Sequence, residues 1–345
     1  MTLSDINRIY LLLGSNCNFR CKYCVQQFDN RKPFDCHSIN NKVIEYIKDI
    51  ASIRKSVNKD LSLMFWGGEP LVYFNIIKEL VSLLKDVDNI RFATVTNGSL
   101  LNDEIVDFIN QNNIHIAISH DGLNTNFTRN RDVLLEDDKL KVIRKINNLS
   151  FNSVISAKND DFLRTIYYIY DKMGYPVKVN FEWLMCSEDT IPELYQFDYD
   201  NFYNKTEEYF NKLRYSISNG IDLEIIFSEY QRFNSIFNYN EEKFPKCGQI
   251  KSVLNLDLQG NQYACHPADI IGDINTDYSE LLKIYNEKYN IKFDSPICSK
   301  CEYLYLCKAG CPLESDNTGR IAVCKAKKIY YKQLIDFVNS FGKDS

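Results

Sequence analysis

The twelve cysteines of this 345-residue chain are the side chains best suited to chemistry. Three of them, Cys17, Cys21 and Cys24, form a Cys-x3-Cys-x2-Cys run near the start of the sequence. Thiolates are the soft ligands that iron–sulfur clusters take, and three thiolates leave one of four irons open to another ligand. A zinc knuckle is the alternative for such a run taken alone. The run therefore predicts a metal centre, and an iron–sulfur cluster would make use of the open position.

A second group of seven cysteines fills the last third of the chain. They are Cys247, Cys265, Cys298, Cys301, Cys307, Cys311 and Cys324. Two closed zinc sites would need eight ligands, so these cysteines suffice for zinc only if His266 contributes. In a reducing compartment, a dense set of thiols indicates metal ligation and not disulfides.

The elements that must position the first run alternate between β-rich and helical patterns as far as about residue 190. The candidate strands are Ile9–Leu13, Leu61–Phe65, Phe92–Val95, Ile114–Ile118, Ser153–Ser156 and Val177–Trp183. A complete (β/α)₈ barrel takes about 250 residues, so the shorter length predicts an α/β fold with a partial (β/α)6 TIM barrel. We expect this barrel over residues 1–197, a helical connector over 198–243 and a small cysteine-rich domain over 244–345.

Three polar motifs each follow a candidate strand. They are Trp66-Gly67-Gly68-Glu69-Pro70, Thr96-Asn97-Gly98 and Ser119-His120-Asp121-Gly122, after the second, third and fourth strands. The C-terminal ends of the strands form the catalytic face of this kind of barrel. We therefore expect the motifs to lie beside the first cysteine run.

The cysteine run and these motifs together resemble the radical S-adenosylmethionine (SAM) superfamily. The resemblance implies that the open iron chelates the amino and carboxylate groups of SAM, which is cleaved to a 5′-deoxyadenosyl radical. It also implies roles around SAM: Tyr23 packs on adenine, Arg131 binds the carboxylate, the Gly67-Gly68-Glu69-Pro70 element contacts the amino group, and Thr96, Asn97 and Ser119 lie nearby.

The C-terminal cysteines resemble a SPASM domain, which implies two auxiliary [4Fe–4S] clusters and three clusters in all. In that family the ligands interleave. Cys298, Cys301, Cys307 and Cys324 would hold the outer cluster, and Cys247, Cys265 and Cys311 the inner one. Some relatives carry an eighth cysteine where this chain has Glu241, so the inner cluster is one protein thiolate short.

Two further residues are candidates for catalysis. His266 stands where sulfatase-maturing relatives carry an aspartate that resembles a catalytic base, and it could instead support a ligand. Cys186 follows the sixth candidate strand, where a thiol could donate hydrogen to a substrate radical or ligate the inner cluster. Lone cysteines such as Cys186 and Cys36 are more often small buried side chains. We expect His120 to be structural.

Composition excludes several classes of protein. A net charge of −5 offers no general surface for nucleic acid, and no apolar run is long enough to cross a membrane. The N-terminus lacks the features of a secretory signal, so we expect a cytoplasmic protein.

The resemblance implies an oxidoreductase that matures a ribosomally made peptide by a thioether or carbon–carbon crosslink. The alternatives are an anaerobic sulfatase-maturing enzyme that forms formylglycine, a peptide epimerase, and a noncatalytic iron–sulfur or zinc scaffold. Expected partners are a peptide or protein substrate and an electron donor such as flavodoxin or ferredoxin. Sixteen residues precede Cys17, so we expect any leader recognition to come from a separate protein or from the enzyme's own surface.

Overall fold

The computed structural model describes residues 3–28, 34–220, 252–266, 268–289, 295–307, 309–314 and 316–340. Nine strands form one sheet in the order β6-β5-β4-β3-β2-β1-β7-β8-β9. The strands are β1 (Arg8–Leu12), β2 (Leu61–Trp66), β3 (Ile90–Thr96), β4 (His115–Ser119), β5 (Leu149–Ile155), β6 (Lys178–Trp183), β7 (Val253–Asp257), β8 (Asn261–Tyr263) and β9 (Ile270–Asp273).

The first six strands are parallel neighbours, each joined to the next by helical crossovers. Parallel strands need such long connections, which explains the alternating sequence pattern. The sheet does not close, because β6 ends it on one side and β9 on the other. The predicted α/β fold with a partial barrel is confirmed.

Ten α-helices lie within the described residues. They are α1 (Asn41–Ser56), α2 (Phe74–Leu84), α3 (Asp103–Gln111), α4 (Thr125–Arg129), α5 (Asp137–Ile143), α6 (Phe162–Met173), α7 (Tyr199–Asn219), α8 (Tyr278–Lys288), α9 (Leu304–Cys307) and α10 (Thr318–Asn339). Asn or Asp side chains begin several of them: Asn102 accepts from the backbone of Ile105, and Asn317 accepts from that of Arg320. Such caps satisfy amides that the first helical turn leaves unpaired.

The fifth strand begins earlier than the sequence pattern predicts, at Leu149 and not at Ser153. Ser150 and Ser153 are both buried within it. Buried serines interrupt the apolar pattern from which a strand is recognised, so the sequence does not indicate the first half of this strand.

The cysteine-rich end of the chain continues the barrel sheet. β7 pairs in parallel with β1, and β7 and β8 form an antiparallel hairpin with Gly260 in its turn at φ +97°. On the other side, α10 packs against the barrel through aromatic rings: Phe162 lies 4.9 Å from Tyr209 and 5.5 Å from Tyr330, centroid to centroid. The division into domains near residues 197 and 243 stays a prediction.

No helix among the described residues is long and apolar enough to span a membrane.

Candidate active site

A cavity of about 210 Å³ opens at the C-terminal ends of the six barrel strands. Every barrel strand or the segment after it contributes to the wall. The lining residues include Cys17, Cys21, Tyr23, Cys24, Trp66, Gly67, Gly68, Glu69, Pro70, Thr96, Asn97, Ser119, Arg129, Ser153, Glu182, Met185 and His266. Most residues that the sequence analysis assigned to SAM binding therefore share one cavity.

The three cysteines of the first run lie together on one wall of this cavity. None of the eleven cysteines that the structure describes forms a disulfide. Burial raises the pKa of Cys21 to about 11 and also raises the pKa values of Cys17 and Cys24. The apoprotein therefore holds neutral thiols here, and a cluster would bind with release of their protons. Three soft ligands beside open space fit a cluster that keeps one iron accessible.

The glycines after β2 allow this loop to pack on the cysteine loop. The backbone amide of Gly68 donates to the Gly14 carbonyl at 3.0 Å, and that of Glu69 donates to the Asn16 carbonyl at 2.8 Å. A Cβ at Gly68 would lie only 2.2 Å from the Asn16 oxygen. These glycines thus permit a close backbone approach to the segment that carries Cys17.

Glu69 is 2% exposed and ties three loops together. Its Oε1 accepts from the Leu71 amide at 3.1 Å and from the Thr96 hydroxyl at 2.6 Å, and its Oε2 accepts from the Asn97 amide at 2.8 Å. Burial raises the pKa of Glu69 although these hydrogen bonds oppose the rise. A carboxylate has about four acceptor positions, so capacity remains on Oε2 for a ligand in the cavity.

Asn97 extends the same network to the cysteine run. Its side-chain amide donates to Asn18 Oδ1 at 2.8 Å, and its own Oδ1 accepts from the backbone amide and the hydroxyl of Ser99. Asn18 donates in turn to the Ser99 hydroxyl at 2.8 Å. Thr96 and Asn97 therefore hold the loops in place, in addition to lining the cavity.

The arginine that lines the cavity lies two residues before Arg131, the residue expected to bind the SAM carboxylate. Arg131 does not line the cavity: its side chain is 44% exposed and makes a two-pronged ion pair with Glu136 at 2.6 Å. Arg129 is the arginine on the wall. Its side chain is 9% exposed, its Nε lies 3.3 Å from Asp121 Oδ2, and its Nη1 lies 4.0 Å from Cys21 Sγ.

Asp121 is a buried residue of the Ser119-His120-Asp121-Gly122 motif, and the sequence predicts no role for it. Its Oδ2 accepts from the hydroxyls of Tyr23 and Thr128, and its Oδ1 accepts from the Val154 amide at 2.9 Å. The Arg129 guanidinium lies 5.2 Å from the centre of the Tyr23 ring. Asp121 thus orients both an aromatic ring and a cation that face the cavity.

His120 is structural, as expected. It is fully buried, its Nε2 lies 2.8 Å from Asp132, and its Nδ1 lies 3.1 Å from both the Gly122 amide and the Thr125 hydroxyl. Cys36 is also buried in the core.

His266 joins the cysteine-rich end of the chain to the cavity. Its ring lies edge-on to the Trp66 ring, with the centroids 5.6 Å apart, and it follows Cys265 directly. The titratable side chain of His266 therefore lies on the cavity wall, next to the Trp66 ring of the barrel. Neither of the two roles predicted for it is tested by this geometry.

Cys186 is placed differently from our expectation of an active-face thiol. It is fully buried and is not among the lining residues, although its neighbour Met185 is. A side chain at Gly319 in α10 would meet its Sγ at 3.0 Å. Burial raises the pKa of Cys186 to about 12. The chain turns after β6, so this thiol faces the C-terminal helix.

Four of the C-terminal cysteines line a second, much smaller cavity of about 20 Å³, which we call the thiol cage. Its cysteines are Cys298, Cys301, Cys307 and Cys324, the set predicted for the outer cluster. Four thiols match the number of ligands that a closed [4Fe–4S] cluster takes. Among the described residues, no three His, Cys, Asp or Glu side chains lie close enough together to hold a single metal ion. Of the predicted inner set, Cys265 and Cys311 are described, whereas Cys247 and the Glu241 position lie outside the described residues.

The residues missed from sequence are Asp121 and Arg129. Asp121 stands inside a motif that was recognised, so its carboxylate was available as a signal. Arg129 carries no signal that separates it from Arg131, because the direction of each side chain depends on the left-handed turn at Asn130 (φ +68°) between them.

Known protein families and relatives match this chain. Residues 11–157 match the family model described as the Radical SAM superfamily. The radical SAM cyclopropyl synthase TigE of Paramaledivibacter caminithermalis is 28% identical over 334 residues, covering 90% of this chain and 68% of that protein. The cysteine-type anaerobic sulfatase-maturating enzyme of Clostridium novyi is 22% identical, covering 96% of this chain and 95% of its own.

Solved structures share the fold over nearly the whole chain. Native anSMEcpe with bound AdoMet has a TM-score of 0.69 at 19% identity, covering 97% of this chain and 100% of that one. Native anSMEcpe with bound AdoMet and Kp18Cys peptide has a TM-score of 0.68 at 18% identity, covering 96% and 99%. The similarity includes the cysteine-rich end as well as the barrel.

Proposed function

We propose, from the radical SAM family match over residues 11–157 and from the motifs, that this chain is a radical SAM enzyme that matures a peptide by installing a thioether or carbon–carbon crosslink. When SAM and a reduced cluster are bound, such a site supplies a 5′-deoxyadenosyl radical that abstracts hydrogen from an unactivated C–H bond. The remaining steps depend on the protein's own residues.

One observation carries the proposal. A single cavity has the Cys17, Cys21 and Cys24 thiols on its wall together with His266, which adjoins the auxiliary ligand Cys265. A substrate held between them would lie within reach of both the radical source and the auxiliary-cluster region. Three [4Fe–4S] clusters, one for SAM and two auxiliary, are the cofactor set we propose.

The cavity residues divide the binding of SAM between them in this proposal. Glu69 offers its remaining carboxylate capacity to the amino group, because a carboxylate at a closed site binds a cation through charge-assisted hydrogen bonds. Arg129 is the cation suited to the SAM carboxylate, and it takes over the role expected of Arg131. Tyr23, fixed by Asp121, offers its ring to the adenine.

The names of the relatives favour one branch of the proposal. A cyclopropyl synthase forms a ring of carbon atoms, which supports the carbon–carbon bond over the thioether. A peptide substrate is supported by the peptide bound to anSMEcpe. His266 would act as the base that accepts a proton from the oxidised substrate.

The partners and location follow from the same chemistry. The cluster needs a low-potential electron donor, such as flavodoxin or ferredoxin, and a separate leader-binding protein could deliver the peptide. Cluster thiols require a reducing compartment, so we expect the enzyme in the cytoplasm.

The test is an anaerobic assay of the reconstituted full chain with SAM, dithionite and synthetic peptides encoded beside its gene. Formation of 5′-deoxyadenosine with a peptide product that has lost two hydrogen atoms would support a crosslink. Absence of 5′-deoxyadenosine from iron-loaded enzyme would contradict every enzymatic version.

The product distinguishes the alternatives. A cysteine that exchanges its sulfur for an aldehyde oxygen, or a serine whose loss of two hydrogens leaves an aldehyde that reacts with a hydrazide, would indicate formylglycine formation. A product of unchanged mass that gains one solvent deuterium in D₂O would indicate epimerisation.

A further inference from the structure

The thiol cage has a buried cation as its neighbour. Arg320 lies in the first turn of α10 and is 3% exposed. Its Nη2 donates toward the Sγ of Cys298 at 3.7 Å, a hydrogen-bonding distance for sulfur. Cys298 is itself buried, so water has little access to this contact.

The guanidinium is held in this position by other acceptors. Nη2 also donates to the Ala309 carbonyl at 2.8 Å, whereas Nη1 donates to Asp316 at 2.6 Å and to the Glu314 carbonyl at 3.3 Å. Arginine carries its donors in a rigid fork, so these contacts fix the direction of the fork toward the thiol. The guanidinium is therefore fixed beside Cys298, next to the residues that line the cage.

A hydrogen-bond donor at this position would favour the reduced form of a bound cluster. Reduction adds negative charge to an iron–sulfur cluster and its thiolates. A hydrogen bond from a cation stabilises that added charge, most strongly where solvent is excluded. Hydrogen bonds to the sulfurs are among the factors that set cluster potentials.

We propose that Arg320 is a positioning residue that raises the reduction potential of the cluster held by Cys298, Cys301, Cys307 and Cys324. The inference rests on the proposed function in requiring an auxiliary cluster in the cage. A raised potential would make this cluster a better acceptor for the electron that the substrate radical gives up.

The test is a redox titration followed by electron paramagnetic resonance. It uses the reconstituted full chain in which Cys17, Cys21 and Cys24 are changed to Ala, so that only auxiliary clusters give a signal. Into this parent we would introduce Arg320→Met, which removes the donor, and Arg320→Lys, which keeps the charge without the fork. We expect one auxiliary potential to shift downward in Arg320→Met and by a smaller amount in Arg320→Lys, at unchanged iron content.

Two control variants separate this effect from general ones. Lys328 lines the cage but is exposed, so Lys328→Gln should leave the potential unchanged because solvent screens its charge. Arg54 is buried and donates to the carbonyls of Asp60 and Ser4, so Arg54→Met should reduce stability without moving any potential.

The outcomes are distinct. Unshifted potentials in iron-replete Arg320→Met would overturn the inference. If that variant loses its cluster, Arg320→Lys decides: a shifted potential supports the inference, and the parental potential overturns it. Loss of the cluster from both variants would overturn the tuning role in favour of a purely structural one. A parent without any auxiliary-cluster signal would instead contradict the proposed function.

Discussion

The active-site cavity and the thiol cage are two cysteine sites with different surroundings. The cavity takes its wall from all six barrel strands, has three thiols and encloses about 210 Å³. The cage takes its wall from the C-terminal segment, has four thiols and encloses about 20 Å³. Its other lining residues are mainly apolar or aromatic, such as Leu304 and Tyr331. The cavity therefore has space for a further ligand beside its thiols, and the cage does not.

The two sites also differ in the surroundings of their buried arginines, Arg129 and Arg320. Arg129 lies near Cys21 Sγ and Arg320 lies near Cys298 Sγ, at 4.0 and 3.7 Å. Arg129 borders open space, whereas Arg320 donates to three protein oxygens besides the thiol. Arg129 can therefore contact a bound molecule as well as Cys21. The contacts of Arg320 are all with protein groups beside the cage.

The largest effect is expected from Cys21→Ala in the cavity. Loss of one of three thiolates should remove the SAM-binding cluster and reduce 5′-deoxyadenosine formation to background. The iron content should fall by one cluster while the cage keeps its own. Formation of 5′-deoxyadenosine at the parental rate would show that the cavity is not the radical source.

Cys324→Ala should impair the cage and leave the cavity intact. 5′-deoxyadenosine formation should persist because the cavity is intact, whereas crosslinked peptide should fall to background. Liquid chromatography of both products from one reaction measures the two rates together. Equal loss of both products would mean that the two sites do not act separately.

Arg129→Gln tests which arginine binds the SAM carboxylate. A charge-assisted hydrogen bond contributes about 1.5–3 kcal/mol, so SAM should bind about 10- to 100-fold more weakly. The matched control is Arg131→Gln, which breaks only an exposed ion pair of about 0–1 kcal/mol and should leave the Kd unchanged. Isothermal titration of SAM gives both values. The reverse order of effects would restore Arg131 to the role.

Glu69→Gln tests the network that joins the loops of the cavity. The amide that replaces Oε2 would face the Asn97 N–H, a donor against a donor, at a cost of about 1–3 kcal/mol in the free energy of unfolding. Urea unfolding of the apoprotein measures this. Glu136→Gln, at an exposed carboxylate, should cost less than about 1 kcal/mol. Equal losses would show that the buried network contributes little.

Cys186→Ala should have the smallest effect. The thiol is fully buried away from the cavity, so we expect unchanged peptide product and unchanged iron content, with a stability loss of about 1 kcal/mol. Mass spectrometry and iron analysis provide the check. Loss of the peptide product while 5′-deoxyadenosine is still formed, at unchanged iron content, would return Cys186 to the role of hydrogen donor.

Sequence reasoning identified most of the fold and of the cavity wall. The βα pattern predicted the six strands, because helices packed on a parallel sheet impose an alternating apolar pattern. The start of β5 was the most displaced, by four residues, because Ser150 and Ser153 are buried where apolar residues are usual. The cysteine run and the motifs after β2, β3 and β4 were predicted to meet, since parallel strands end on one face.

The sequence by itself determined which residue types are available and their order along the chain: three thiols in one short run, further thiols near the C-terminus, and polar motifs at strand ends. The tertiary structure alone decided which side chains face the open space. Arg129 and Arg131 are separated by the left-handed turn at Asn130, and Cys186 is covered by α10. The physical reason is that ligand type is a property of a residue, whereas side-chain direction depends on local backbone dihedrals and on packing against segments distant in sequence.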